Sequence, residues 1–266
     1  LLLPSWWILP LSNIELIKCL ELMFIFFVGS IVMRAAGCTI NDLWDKDIDK
    51  KISRTQKRPI ASGEISILEA FIFLSIMLLI GLLCLIQLDI ETWIIALSSI
   101  PLVIIYPLAK RFTKWPQIFL GFTFSWSIPT AWSASGMPWE WGVFTMYMAT
   151  VFWVVGYDTI YGCQDSNEDE FHGIKNSAVS AKKFLIKFVA LIYCFTICLL
   201  ILSGIALNTS YFWYLGVLIV TIHFIFQIYK LKYLNENSTI TIFKSNRTIG
   251  LILTLGALGN YINFTT

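Results

Sequence analysis

Long runs of apolar side chains, continuous rather than alternating, recur along this chain and predict its architecture. They fall at roughly 1–12, 20–41, 66–88, 92–108, 117–134, 140–161, 184–206, 210–229 and 248–264. Most approach the span of about 17 to 25 residues that a helix needs to cross a bilayer. Helix is the required state, because a backbone exposed to lipid must satisfy its own hydrogen bonds. A barrel would show alternating strands instead. The expected fold class is therefore all-α, a polytopic membrane protein of nine transmembrane helices forming one domain over 1–266. The first run opens Leu-Leu-Leu-Pro without a methionine and reads as a helix clipped at its N-terminus. Pro101, Pro107 and Pro129 are expected to kink or end the helices that hold them.

Composition agrees with the pattern. Of 266 residues, 57% are hydrophobic and 14% charged, more apolar surface than a soluble domain of this size can bury. The net charge of +2 says little; its distribution says more. Under this layout every Lys and Arg except Lys18 and Arg34 lies in loops on one face, while the opposite loops carry Glu15, Glu21, Asp89, Glu91 and Glu140. By the positive-inside rule the basic face is cytoplasmic, or matrix-facing in an organelle. That predicts the inner membrane of a bacterium or mitochondrion, with the bilayer as partner and no nucleic acid. Six cysteines, Cys19, Cys38, Cys84, Cys163, Cys194 and Cys198, show no CxxC pairing and read as small buried apolar residues. The 11 tryptophans read as lipid-interface anchors or cavity lining, some with ring faces able to stabilise a carbocation. His223 reads as a satisfied interior histidine, and His172 as an ordinary loop residue near an acidic cluster.

The charged residues inside this apolar frame carry the candidate chemistry. Residues 41–49 read N-D-x-x-D-x-x-x-D. On a continuing helix Asn41, Asp45 and Asp49 share one face, with Asp42 beside Asp45. Stacked like charges cost free energy unless a cation sits among them. Magnesium suits the site, since it takes oxygen ligands, keeps several waters and bridges to substrate phosphates. The bland alternative is an acidic helix end neutralised by neighbouring bases. A second cluster runs from Asp158 to Glu170, with Asp165 and Asp169 again four apart and Asp158 and Tyr161 deeper, beside Tyr157. Two such clusters on one membrane face suggest a paired divalent-metal site for a diphosphate. Arg54, Lys57 and Arg58 follow the first cluster and Lys175 the second, placed either to neutralise a departing diphosphate or to set topology. Arg34, two turns before Asn41 within a span, is functional by default. It either binds an acceptor carboxylate or braces the aspartates.

Three motifs resemble the UbiA superfamily of intramembrane prenyltransferases: N-D-x-x-D-x-x-x-D at 41–49, R-P-I-A-S-G at 58–63 and D-T-I-Y-x-x-Q-D-x-x-x-D at 158–169. Stretches around Arg34, 106–117, 173–175 and 245–250 extend the likeness along the chain. Glu168 and Asn176-Ser177 depart from the usual pattern. The resemblance implies helices around a central cavity. It implies that Asn41, Asp45, Asp165 and Asp169 hold two Mg2+ ions on a polyprenyl diphosphate, with Asp42, Asp49, Asp158, Tyr161 and Arg34 in the catalytic surroundings. Within the family the D-T-I-Y-x-x-Q-D pattern points to the ubiquinone-pathway branch that prenylates 4-hydroxybenzoate ortho to its hydroxyl. Sibling branches of the menaquinone, tocopherol, haem O or chlorophyll pathways differ in acceptor. A cation transporter is the alternative of another class, but its carboxylates belong near the midplane in broken helices.

Overall fold

The computed structural model describes residues 2–50, 55–164, 176–233 and 236–265, and those residues form helices joined by turns and short irregular connections, with no strand among them. The helices in chain order are α1 (Leu2–Leu11), α2 (Leu16–Trp44), α3 (Lys46–Asp49), α4 (Pro59–Ser62), α5 (Ile67–Leu85), α6 (Ile90–Leu97), α7 (Ile100–Phe112), α8 (Pro116–Ser125), α9 (Ser127–Ser135) and α10 (Trp141–Gly162). After these come α11 (Ser177–Ala181), α12 (Leu185–Ala206), α13 (Tyr211–Lys230) and α14 (Glu236–Leu258), with 3-10 turns at Leu231–Tyr233 and Gly259–Thr265. Among the described residues six segments are long and apolar enough to cross a membrane: Leu16–Trp44, Ile67–Leu85, Ile90–Ala109, Trp141–Gly162, Leu185–Ala206 and Tyr211–Tyr233. The protein is an integral membrane protein, and helical segments overlap every apolar run expected above.

The differences from expectation lie at breaks and ends. The run at 92–108 divides at Ser98 and Ser99, where Pro101 can donate nothing to the Leu97 carbonyl and its ring crowds that group; Ser99 N makes the tighter turn bond to the Ala96 carbonyl at 3.2 Å. The run at 117–134 divides at Trp126, three residues before Pro129, for the same reason. Pro107 stays inside α7 and ends nothing. The last helix begins at Glu236 rather than near 248, so Lys244 and Arg247 are helical, not loop residues. Elsewhere local signals agree with the fold. Ser66 and Glu69 form a capping box that starts α5. Gly63 and Gly136, with φ of 85° and 73°, end α4 and α9 in the left-handed region that glycine adopts without cost.

The chain forms two compact units, residues 24–93 and residues 1–23 with 94–266. In the smaller unit α2 meets α5 where Gly81 faces the Met33 thioether. Leu68, Phe71, Ile72, Leu79 and Leu82 of α5 are exposed, as side chains facing lipid should be. The larger unit is built on α10, which packs against α8, α12 and α14. Val151, Val155 and Ile192 form a small core with Phe122, Tyr147, Phe152 and Phe188 around it.

Lipid tails are as apolar as the side chains, so burying leucine does not by itself hold membrane helices together; close packing and hydrogen bonds do. Gly156 lets the Tyr193 ring approach within 2.5 Å of where a Cβ would sit. Several tryptophans act as interhelical ties rather than interface anchors, which corrects the expectation. Trp7 donates to the Gly250 carbonyl (2.8 Å), Trp126 to Ile95 (2.8 Å), Trp213 to Leu200 (3.1 Å) and Trp153 to Asn246 Oδ1 (3.0 Å). A buried indole N–H with no water nearby must find an acceptor on a neighbouring helix. Trp44, Trp139 and Trp141 remain exposed, as anchors would be. Of the six free cysteines only Cys19 is buried; Cys38, Cys194 and Cys198 are exposed on apolar helices. His223 is satisfied, its Nε2 lying 3.0 Å from Ser245 Oγ.

Candidate functional site

The first acidic motif keeps helical register across the junction of α2 and α3. Asp45 N donates to the Asn41 carbonyl and Asp49 N to the Asp45 carbonyl, both at 2.8 Å. Asn41, Asp45 and Asp49 therefore share one face, one turn apart, as the spacing requires. Asp45 and Asp49 are buried, at 7% and 4% exposure. Asn41 and Asp42 are half-buried, and Asp47 faces outward with Lys50 at 3.9 Å, a solvated pair of little energetic weight.

Arg58 offsets part of this charge. Its Nη1 donates to Asp42 Oδ1 and to Asp49 Oδ2, each at 2.9 Å. The geometry follows from the R-P-I-A-S-G turn. A residue before proline is driven to extended backbone, and Arg58 adopts φ −64°, ψ 139°. Pro59 opens α4 and Gly63 closes it, which returns the chain beside α3. Thr55 Oγ1 donates to the Asp49 carbonyl at 3.1 Å, and Arg58 N to the Thr55 carbonyl at 2.9 Å. Arg58 thus braces Asp42 and Asp49, a role that the sequence reading offered as one of two alternatives for Arg34. Lys57 is exposed, and Arg34 sits exposed on α2 seven residues before Asn41. Thr55 was missed, and nothing in the pattern of charges would have singled it out.

In the larger unit Asp158 and Tyr161 occupy the last turn of α10, both half-buried. Trp153, Tyr157 and Tyr161 line one face of α10 at four-residue intervals. Phe243 of α14 packs on the two tyrosines, with ring centroids 5.7 Å from Tyr157 and 4.5 Å from Tyr161. Burial pushes the Cys163 thiol up to about 11, which disfavours the thiolate. A set of buried amides and hydroxyls surrounds this turn. Asn176 Nδ2 donates to the Gly162 carbonyl (3.2 Å), Gln117 Nε2 to Asn176 Oδ1 (2.9 Å) and Ser177 N to Gln117 Oε1 (3.0 Å). The Ser177 and Thr159 hydroxyls lie 2.7 Å apart. Gln117 entered the sequence reading only as part of a family pattern, and Asn176 only as a departure from one. Asn176 ahead of the short α11 is an N-cap signal that could have drawn attention to it. Arg54, Asp165, Asp169 and Lys175 lie outside the described residues.

The described donors suit a hard cation that keeps much of its water. Among the described residues no three His, Cys, Asp or Glu side chains converge as a dedicated cage. Arg58 engages Asp42 and Asp49, and Asn41 and Asp45 lie on the helical face that Asp49 shares. One or two carboxylates completed by water and phosphate oxygens is how magnesium is commonly held. The residues fit that ion.

Comparison with known proteins agrees with this chemistry. The UbiA prenyltransferase family model matches residues 1–250. The mitochondrial 4-hydroxybenzoate polyprenyltransferase of Aedes aegypti is 41% identical over 237 residues, which cover 87% of this chain and 53% of that protein. The 4-hydroxybenzoate octaprenyltransferase of Francisella tularensis subsp. novicida is 37% identical over 242 residues, 90% of this chain and 84% of that one. The chain thus spans about half the length of the Aedes relative. Among solved structures, the apo UbiA homolog from Aeropyrum pernix K1 superposes with a TM-score of 0.81 at 21% identity, covering 100% of this chain and 97% of that one. A UbiA homolog from Archaeoglobus fulgidus bound to DMAPP and Mg2+ gives 0.69 at 16%, covering 97% and 94%. With the acidic register, the R-P-I-A-S-G brace and the helical fold in place, this chain belongs to the UbiA prenyltransferase family.

Proposed function

We propose that this chain transfers a polyprenyl group from an allylic polyprenyl diphosphate to the ring of 4-hydroxybenzoate, ortho to the hydroxyl, in ubiquinone biosynthesis. The observation that carries the reading is the unbroken register of Asn41, Asp45 and Asp49, closed by Arg58 across Asp42 and Asp49. It presents oxygen donors at one helix end with the surplus negative charge held in place. The acceptor assignment is supported by the names of the relatives at 41% and 37% identity.

In this proposal Asn41, Asp45, Asp165 and Asp169 hold Mg2+, and both units serve a single prenyltransferase domain over 1–266. Bound magnesium would supply positive charge to the leaving diphosphate as the allylic C–O bond ionises. Arg54, Lys57, Arg58 and Lys175 add cationic charge where that anion develops. Arg58 also keeps Asp42 and Asp49 from repelling the substrate. Tyr161, backed by Phe243, and Asp158 border the reacting carbon, where a ring face favours a carbocation. Arg34 takes the acceptor carboxylate. The loops carrying these groups face the cytoplasm or matrix of an inner membrane, the side chosen by the basic residues.

The test is a membrane assay with labelled polyprenyl diphosphate, Mg2+ and competing acceptors. Prenylated 4-hydroxybenzoate is the expected product, identified by mass. Transfer to a dihydroxynaphthoate but not to 4-hydroxybenzoate would move the chain to a sibling branch. No transfer to any aromatic acceptor would end the reading.

A further inference from the structure

We propose that Gln117, Asn176 and Ser177 are positioning residues for the reaction proposed above. They hold the last turn of α10, from which Asp158 and Tyr161 project and from which the chain departs toward Asp165.

All three are buried, at 7%, 7% and 0% exposure. Polar side chains in an apolar interior are costly unless their hydrogen-bonding groups are met, and here each is engaged. Asn176 Oδ1 accepts from Gln117 Nε2 and from Ala178 N, both at 2.9 Å, while its Nδ2 donates to the Gly162 carbonyl. That carbonyl belongs to the end of α10, where helical partners run out. Gln117 Oε1 accepts from Ser177 N, and Ser177 Oγ meets Thr159 Oγ1 within the same turn of α10. Two ties therefore reach α10, at 159 and 162, on either side of Tyr161. Gly162 confirms how tight the contact is, since a Cβ there would lie 2.6 Å from Asn176 Oδ1.

Elsewhere α10 combines ring packing, as at Gly156 and Tyr193, with single hydrogen bonds such as Trp153 to Asn246 and Ser203 to the Gly142 carbonyl. Around Thr159 and Gly162 a connected set of amides and hydroxyls surrounds it. Such a set fixes direction as well as proximity, because each bond constrains an angle. The turn it fixes is the one bearing the candidate site residues of the larger unit.

The test uses purified protein in detergent. Mn2+ titration by electron paramagnetic resonance, with a non-hydrolysable prenyl diphosphate present, gives a reading besides turnover. Asn176→Asp keeps both accepted bonds and loses the donated one. Thr159→Val removes the hydroxyl tie at constant shape, and Thr159→Ser restores it. Outer-shell changes typically weaken metal binding about 10- to 100-fold. The expected result is a rise of about 10-fold in half-saturating Mn2+ for Asn176→Asp and Thr159→Val, with kcat reduced and the acceptor KM within about twofold of wild type. Thr159→Ser should recover wild-type values. Wild-type Mn2+ affinity in both altered proteins, or an acceptor KM rising in step with the metal midpoint, overturns the inference. If the unmutated protein neither binds Mn2+ nor requires a divalent ion, the metal reading itself falls and takes this one with it. That outcome is read on wild type alone and is distinct from a failure confined to the variants.

Discussion

Arg58→Met tests whether the guanidinium holds the acidic helix end together. The substitution keeps an unbranched apolar stem and removes both bonds from Nη1. The two bonds are not equal. Asp42 is 23% exposed and Arg58 34%, so water screens that arm and its loss costs about 1 kcal/mol or less. The Asp49 side chain is 6% exposed, and stranding a carboxylate there approaches the cost of about 3 to 5 kcal/mol for breaking a buried pair, reduced by the partly exposed arginine. We expect a total near 3 kcal/mol. At about 2 to 4 °C per kcal/mol for a chain of this class, Tm should fall by about 6 to 12 °C. Asp49→Asn alone should cost less, since the amide can still accept one bond. The double variant should recover part of the loss, because no buried charge remains unpaired, with a coupling of at least about 1.5 kcal/mol. The assay is thermal unfolding of the purified protein followed by tryptophan fluorescence, run on all four members of the cycle. Additive losses, with coupling below about 0.5 kcal/mol, would refute the argument that Arg58 and Asp49 act as one unit.

Three further outcomes follow from the site and the packing. Asp45→Ala and Asp165→Ala should each lower prenyl transfer by more than about 100-fold, since metal ligands act as a unit, while membrane insertion measured by fractionation is unchanged; near-wild-type turnover in either would contradict the ligand assignment. Arg34→Gln should raise the KM for 4-hydroxybenzoate by about 10-fold or more with little change in the KM for the diphosphate, as expected for a lost charge-assisted contact. An effect on the diphosphate alone would assign Arg34 to the aspartates instead. Gly156→Ala places a methyl 2.5 Å from the Tyr193 ring and should cost about 1 to 3 kcal/mol by overpacking, read as a lower Tm, whereas an unchanged Tm would mean α10 and α12 separate easily.

The helical membrane architecture and the first acidic motif were legible in the residues, because both depend on local rules. A continuous apolar run admits one backbone state in lipid, and i, i+4 spacing puts Asn41, Asp45 and Asp49 on one face whatever surrounds them. The motifs at 41–49, 58–63 and 158–169 were also enough to indicate the family. Other features required partners distant in the chain. No local signal says that the Arg58 guanidinium turns back to Asp42 and Asp49, that Gln117 reaches Asn176 across 59 positions, or that Trp7 donates to Gly250. Tryptophan suits either a lipid interface or an interhelical bond, and only packing selects between them. Pro101 and Pro107 read alike in sequence, yet one sits at a helix start and the other within a helix. The physical reason is that hydrophobic length and helical period act between neighbours in the chain. The hydrogen bonds that place charge and amide groups in a low-dielectric interior exist only once the helices have met.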